Sequence, residues 1–194
     1  MNLVDMAKQI EGSAIEELHQ EHKAELKEAA AEDFKLTHPE PSDMQGQLKT
    51  AEAAMAFIFA GNAYFTLRSK KTLTRFTYRV SRAKCKRCGE KECHCWAHPI
   101  FFVNVLTGSQ NDSDYSYVGY IKDGEFKYGE AKARIGRNAP SVNAFEWAFA
   151  QLRQLKLPIN LEVWHDGCCG RCGRKLTVPE SVERGIGPEC AQRM

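Results

Sequence analysis

The sequence predicts an α+β fold, an antiparallel sheet with a covering helix and a helical N-terminal arm, to which two small cysteine-rich metal modules are attached. Three observations predict it. A central stretch shows hydrophobic side chains at a period of two, flanked by stretches where the period is near 3.6. Turn signals cut the period-two stretch into short segments. The 8 cysteines among the 194 residues fall into two tight groups of four. A chain of this length holds one moderate domain plus a small appended module.

Residues 2–10 and 13–33 read as helix, the second opened by Ser13 and Glu16 as a capping box. Its apolar stripe of Ile15, Leu18, Leu26 and Ala29 is thin, and residues 1–50 carry 5 Lys/Arg against 11 Asp/Glu. Pro39 and Pro41 mark a linker over 35–43, which separates an acidic arm at 1–41 from a core domain at 42–164. Met44, Leu48, Ala51, Met55 and Ile58 share one face of a helix expected over 42–60, and Gly61 is placed to end it.

Tyr64 to Ser69 and Thr74 to Ser81 then form a hairpin around Ser69-Lys70-Lys71-Thr72, with Phe76, Tyr78 and Val80 on one face and Arg75, Thr77 and Arg79 on the other. Ile100 to Leu106 and Tyr115 to Ile121 are further strands. Asp123-Gly124 is a tight-turn signal leading into a short strand at 125–128. A loop over 130–140 ends at Pro140, and Ser141 is expected to cap a helix with the stripe Val142, Phe145, Phe149, Leu152 and Leu155. Pro158 stops that helix and Ile159 to Trp164 is the last strand, for a sheet of five or six strands in all.

No apolar run in the first 30 residues makes a signal-peptide core, and none in the chain approaches the ~18 residues of a membrane span. The expectation is a cytoplasmic protein with no membrane partner. Cytosolic thiols stay reduced, so the cysteines point to metal rather than to disulfides. Cys85, Cys88, Cys93 and Cys95 lie within 11 residues, in the insert 82–98. A C-x-x-C turn aims two thiolates at one ion and the second pair completes a tetrahedron, with His94 and His98 as alternatives for one cysteine.

The second group closes the chain in a module over 165–194. It reads Cys168-Cys169-Gly170-Arg171-Cys172-Gly173-Arg174-Lys175-Leu176-Thr177, continuing through Pro179-Glu180-Ser181 to Arg184-Gly185-Ile186-Gly187-Pro188-Glu189-Cys190. This segment resembles a zinc-binding element at the end of many phage and prophage proteins of uncharacterised function. The resemblance implies a treble-clef-like zinc module in which Cys169 and Cys172 form the knuckle and Cys190 the third ligand. It also places the protein in a host cytoplasm. The fourth ligand is expected to be His165, with Cys168 as the alternative. Two Zn²⁺ ions are therefore expected.

The net charge of +2 conceals a basic block, since residues 66–98 hold 10 basic and 2 acidic side chains. Lys70, Lys71, Arg75, Arg79, Lys84, Lys86 and Arg87 in that region, with Arg171, Arg174 and Lys175 at the second knuckle, are candidate phosphate contacts. Tyr64, Phe65, Phe76 and Tyr78 lie among these arginines as candidate stacking platforms. H-E-x-x-H, P-loop, Gly-x-Ser-x-Gly and zinc-deaminase patterns are all missing, and a site of four cysteines, or three and a histidine, is closed to substrate. The expected function is non-catalytic binding of nucleic acid, DNA or RNA, through basic zinc modules. The alternative is a protein-binding inhibitor or adaptor acting on a host defence or replication enzyme that itself handles nucleic acid, with the acidic arm as the contact.

Overall fold

The computed structural model describes residues 46–85, 88–89, 99–110 and 113–193. The acidic arm, its linker, Lys86, Arg87, His94, His98, Cys93 and Cys95 lie outside the described residues. Strand β1 (Gly46–Gln47) precedes helix α1 (Ala51–Ile58). Strands β2 (Asn62–Ser69), β3 (Arg75–Arg82), β4 (Phe101–Leu106), β5 (Tyr115–Lys122) and β6 (Glu125–Tyr128) follow. Helix α2 (Pro140–Arg153), strand β7 (Leu161–His165) and the short helices α3 (Pro179–Arg184) and α4 (Pro188–Ala191) complete the chain. The strands form one antiparallel sheet in the order β1-β7-β2-β3-β4-β5-β6. The β2–β6 run is a meander, and β7 returns from α2 to slot between β1 and β2. No helix of the described residues is long and apolar enough to cross a membrane.

The helix expected over 42–60 is shorter than its apolar spacing suggests. Thr50 is extended (φ −126°, ψ 153°) and its hydroxyl accepts the Ala53 N–H at 3.2 Å, so α1 begins only after it. The residues before Thr50 are drawn into the sheet instead. Gly46 and Gln47 pair with His165 and Trp164, and the Leu48 N–H donates to the Val163 carbonyl at 2.9 Å. A helical period cannot register the unpaired edge that β7 offers. Gly61, at φ +113°, makes the turn from α1 into β2, as its position predicts.

Along the strands, alternate residues face α1 and α2. Ala63, Phe65 and Leu67 of β2, Tyr78 and Val80 of β3, Val103 and Val105 of β4 and Val163 of β7 are all buried against Phe57, Phe145 and Phe149 of the helices. Each large side chain taken from water contributes roughly 2–3 kcal/mol, which is what holds two short helices to the sheet. Tyr78 reaches across the core and donates its hydroxyl to the Ser141 carbonyl at 2.7 Å, fixing the start of α2; burial pushes this hydroxyl's pKa up. Asp123 (φ +54°) and Gly124 (φ +72°) form the left-handed pair that a two-residue hairpin requires.

Ser141 does not cap α2. Ala139 is the N-cap and Pro140 the first helical residue, where a missing N–H costs nothing, so Ser141 sits buried inside the first turn. Leu155 is also not part of the stripe. Helix α2 stops at Arg153 without help from Pro158, because the Leu155 and Lys156 N–H groups turn back onto the Leu152 and Gln151 carbonyls, leaving Leu155 left-handed (φ +55°) and exposed. Among the described residues the sheet has seven strands rather than five or six, the addition being β1 at its edge, while the short strand expected over 125–128 is β6.

Candidate metal centre

Strand β7 hands the chain into a compact knuckle. Gly167 (φ +80°) makes the first turn, and Cys168 bridges to Lys175. The Cys169 N–H donates to the Arg174 carbonyl and the Gly173 N–H to the Cys169 carbonyl, both at 2.8 Å, with Gly173 left-handed at φ +75°. Helix α3 follows, ended by Gly185 (φ +70°), and α4 carries Cys190 back to the knuckle. The Gly170 N–H donates to the Gly185 carbonyl at 3.0 Å, and the Gly170 carbonyl accepts the Asn62 N–H at 2.7 Å, which fastens the module to β2.

Phe57 of α1 explains two of the glycines. Its ring lies so close to Gly170 and Gly185 that a Cβ at either would strike it. Gly185 is thus constrained twice, by its left-handed backbone and by the ring.

The thiols of Cys169, Cys172 and Cys190 come together with their sulfur atoms within 4.8 Å of one another. Zinc–sulfur bonds of about 2.3 Å in a tetrahedron separate sulfurs by roughly 3.8 Å, so small side-chain adjustments would bring all three onto one ion. The triad is prepared for negative charge. Burial alone would raise the Cys169 pKa, but the backbone N–H groups of Cys172, Gly187 and Arg171 outweigh it and hold the thiol below its ordinary value; the Gly187 N–H lies 3.4 Å from the sulfur. Cys190 is pushed up to about 11 by burial and by donating to the sulfurs of Cys172 and Cys169. Cys190 is thus the thiol donor within the triad, and a bound cation would take the place of its proton. A cavity of about 190 Å³ opens beside the three sulfurs, lined also by Arg174, Lys175, Thr177, Ser181 and Glu189. Among the described residues this cysteine cluster could hold a metal ion and no fourth histidine, cysteine or carboxylate joins it.

Residues 162–194 match the model of DUF6011, a family of unknown function. No curated protein and no solved structure matches the chain. The DUF6011 segment begins inside β7, so the matched unit is the strand together with the knuckle and not the knuckle alone.

Within the DUF6011 segment, His165 is not the ligand expected of it. Its ring is fully buried beside Phe57, with centroids 5.2 Å apart, and Gly46 is packed so closely on it that a Cβ there would enter the ring. Both ring nitrogens are engaged. Nδ1 accepts the Gly167 N–H at 3.0 Å, so Nε2 carries the proton and donates to the Val182 carbonyl at 2.7 Å. Burial lowers its pKa, in keeping with a neutral ring. His165 is a structural clamp joining β1, β7 and α3. Cys168, the alternative, is directed to Asp166, and burial first, then the Asp166 charge, raise its pKa.

The first knuckle lies outside the DUF6011 segment, at the end of β3. Cys85 is buried and Cys88 exposed. The Gly89 N–H donates to the Cys85 carbonyl at 2.8 Å with Gly89 at φ +77°, the same turn that Gly173 makes after Cys169 and Cys172.

The candidate phosphate contacts are dispersed. Lys70 and Lys71 lie exposed in the β2–β3 turn, where Lys70 pairs with Glu162 at 3.5 Å, and Lys84 is exposed before the first knuckle. Arg174 approaches Glu189 at 3.8 Å, and Arg171 donates to the Cys190 carbonyl at 3.2 Å. Arg75 and Arg79 share the sheet face that the helices do not cover. Of the aromatic candidates, Phe65 and Tyr78 are core residues and Phe76 packs against the core, whereas Tyr64 faces outward. Sequence reasoning missed Phe102, Tyr115, Tyr117 and Trp164 as companions of Tyr64. The signal for the two tyrosines was their i, i+2 spacing on a strand, but the face they point to is settled only by pairing.

Proposed function

We propose that this is a non-catalytic zinc protein that binds nucleic acid, with one zinc at each knuckle. The observation that carries the reading is the Cys169, Cys172 and Cys190 triad, set in backbone N–H groups that favour thiolate and bordered by Arg174 and Lys175. Soft thiolate donors at tetrahedral spacing select zinc over harder divalent ions. A second zinc at Cys85 and Cys88, with Cys93 and Cys95 as its further ligands, is supported by the identical turn at Gly89. A structural rather than catalytic role is supported by the surroundings: among the described residues the cavity at the triad holds no histidine, and its Glu189 is drawn towards Arg174. The basic block over 66–98 and the likeness of residues 169–190 to phage-encoded zinc elements support a nucleic-acid ligand inside a host cell.

Metal content per chain and binding to labelled DNA and RNA test this together. Two zincs are expected, falling to one in Cys88→Ser and to one in Cys172→Ser. Binding is expected to weaken at least tenfold as salt rises from roughly 50 to 200 mM. A chain purified without zinc that takes none up ends the metal reading. Binding indifferent to salt ends the nucleic-acid reading and leaves the inhibitor or adaptor of a host enzyme in its place.

A further inference from the structure

Helices α1 and α2 pack on one face of the sheet, and among the described residues no helix packs on the other. The register sets what that second face displays. Tyr64 stands opposite Arg79, Arg79 opposite Asn104 and Asn104 opposite Tyr117, a row crossing four strands. Beside it, Arg68 is opposite both Arg75 and Glu162, Trp164 is opposite Thr66, and Phe102 is opposite Tyr120. An outward face that only met water would be built of threonine, lysine and glutamate. This one carries Tyr64, Phe102, Tyr115, Tyr117, Tyr120 and Trp164, with Phe102 42% exposed.

The rings are organised in pairs around a cation. Tyr64 of β2 and Tyr115 of β5 lean over the strands between them until their centroids are 5.7 Å apart, edge to face. The Arg79 guanidinium lies 5.1 Å from the Tyr64 centroid, with its Nε shut off from water and, among the described residues, without a hydrogen-bond partner. Phe102 and Tyr117 make a second edge-to-face pair at 6.1 Å. Arg75 and Arg79 lie along β3 on this face with Arg68 beside Arg75 on β2, a basic band whose neighbouring acid, Glu162, is claimed by Arg68 at 3.7 Å and by Lys70 at 3.5 Å. A second copy of the chain would bring arginines against arginines, whereas a polyanion with flat, apolar side groups complements both features.

We infer that this face binds single-stranded nucleic acid, bases stacking on the Tyr64–Tyr115 and Phe102–Tyr117 pairs and phosphates following the Arg68–Arg75–Arg79 band. The inference rests on the nucleic-acid reading above and names its surface and its ligand. Geometry favours a single strand over a duplex. Seven strands about 4.8 Å apart make a surface roughly 29 Å wide, which cannot enter a major groove about 12 Å across. Only an unpaired strand can offer its base faces to rings lying on such a surface.

Fluorescence anisotropy with a labelled 15-nucleotide oligo-dT, oligo-U and a mixed-sequence duplex of equal length tests it. The full chain carries its zinc and is compared with Tyr64→Ala, Tyr64→Phe, Phe102→Ala and Arg79→Gln. The expected result is a single strand held at least tenfold more tightly than the duplex. Tyr64→Ala and Phe102→Ala are expected to weaken the single strand about tenfold each. Tyr64→Phe keeps its ring and its affinity, and Arg79→Gln weakens binding and flattens its salt dependence. Phe102 is already exposed, so its variant folds even if Tyr64→Ala does not, and unchanged metal content and circular dichroism identify folded variants. Preference for the duplex, or wild-type affinity in Phe102→Ala, overturns the inference while leaving nucleic-acid binding intact. Failure of the wild type to bind any of the three probes overturns both.

Discussion

The two knuckles are the same turn in two different settings. In each, two cysteines with two residues between them are closed by a left-handed glycine, Gly89 at +77° and Gly173 at +75°, whose N–H reaches the first cysteine's carbonyl at 2.8 Å. Around Cys169 that turn is anchored. Asn62 holds Gly170, the Phe57 ring fills the space under Gly170 and Gly185, and Cys190 arrives on α4. Around Cys88, among the described residues, no atom lies within 4 Å of where a Gly89 Cβ would stand. The C-x-x-C-G string thus makes the same turn in both places, and what differs is the described contacts that tie it to the rest of the fold.

The largest test of this difference removes one sulfur from each knuckle. Structural zinc contributes on the order of 10 kcal/mol to a small module. Cys172→Ser should release the segment from 168 onward, read as rapid amide exchange and early proteolytic cleavage there, with a lowered melting temperature for the sheet. Cys88→Ser should leave exchange in β2, β3 and β7 unchanged. Equal effects would show that the second knuckle is no more integral than the first.

A smaller effect separates backbone strain from contact. Gly89→Ala and Gly173→Ala meet only the left-handed backbone and should each cost about 1–2 kcal/mol. Gly185→Ala has the same strain and drives its methyl into Phe57, so roughly 2–5 kcal/mol is expected from denaturant midpoints. Restoring stability to Gly185→Ala with Phe57→Leu would assign the excess to the ring.

The smallest effect is the pH dependence of the clamp. His165 is buried neutral, with a pKa below the ordinary 6.5, so the unfolded chain takes up its proton first. Stability from this residue is complete above about pH 6.5 and declines as pH falls below it, by about 1 kcal/mol for each unit until the folded ring also protonates. Denaturant unfolding between pH 7.5 and 5.5 should show that slope in the wild type and lose it in His165→Gln. A slope that persists in the variant would assign it to other groups.

Much of the fold could be read from residue order, because it rests on interactions between near neighbours. The β2–β3 hairpin, the Asp123-Gly124 turn and the stripe from Val142 to Leu152 follow from alternation, left-handed preference and helical period. The cysteine grouping was legible in spacing, while the choice of Cys169, Cys172 and Cys190 within it came from the resemblance. The ends of elements were less so. Residues 46–48 carry a helical spacing but meet the open edge of β7, and Leu155 carries a core spacing but falls past the turn that ends α2.

Two matters belonged to the tertiary structure alone. His165 stands four residues before a knuckle, where spacing suggests a ligand, and only the arrival of Gly46, Phe57, Gly167 and Val182 around its ring makes it a clamp. Tyr64 and Phe65 are adjacent aromatics in a basic stretch, and only pairing with β3 and β7 sends one outward to Arg79 and the other into the core. By itself the sequence determined where the turns, strands and cysteine pairs lie, since each is decided within a few residues along the chain. Which side chains bind and which merely pack was decided by surfaces brought together from distant parts of the chain, and no local pattern carries that information.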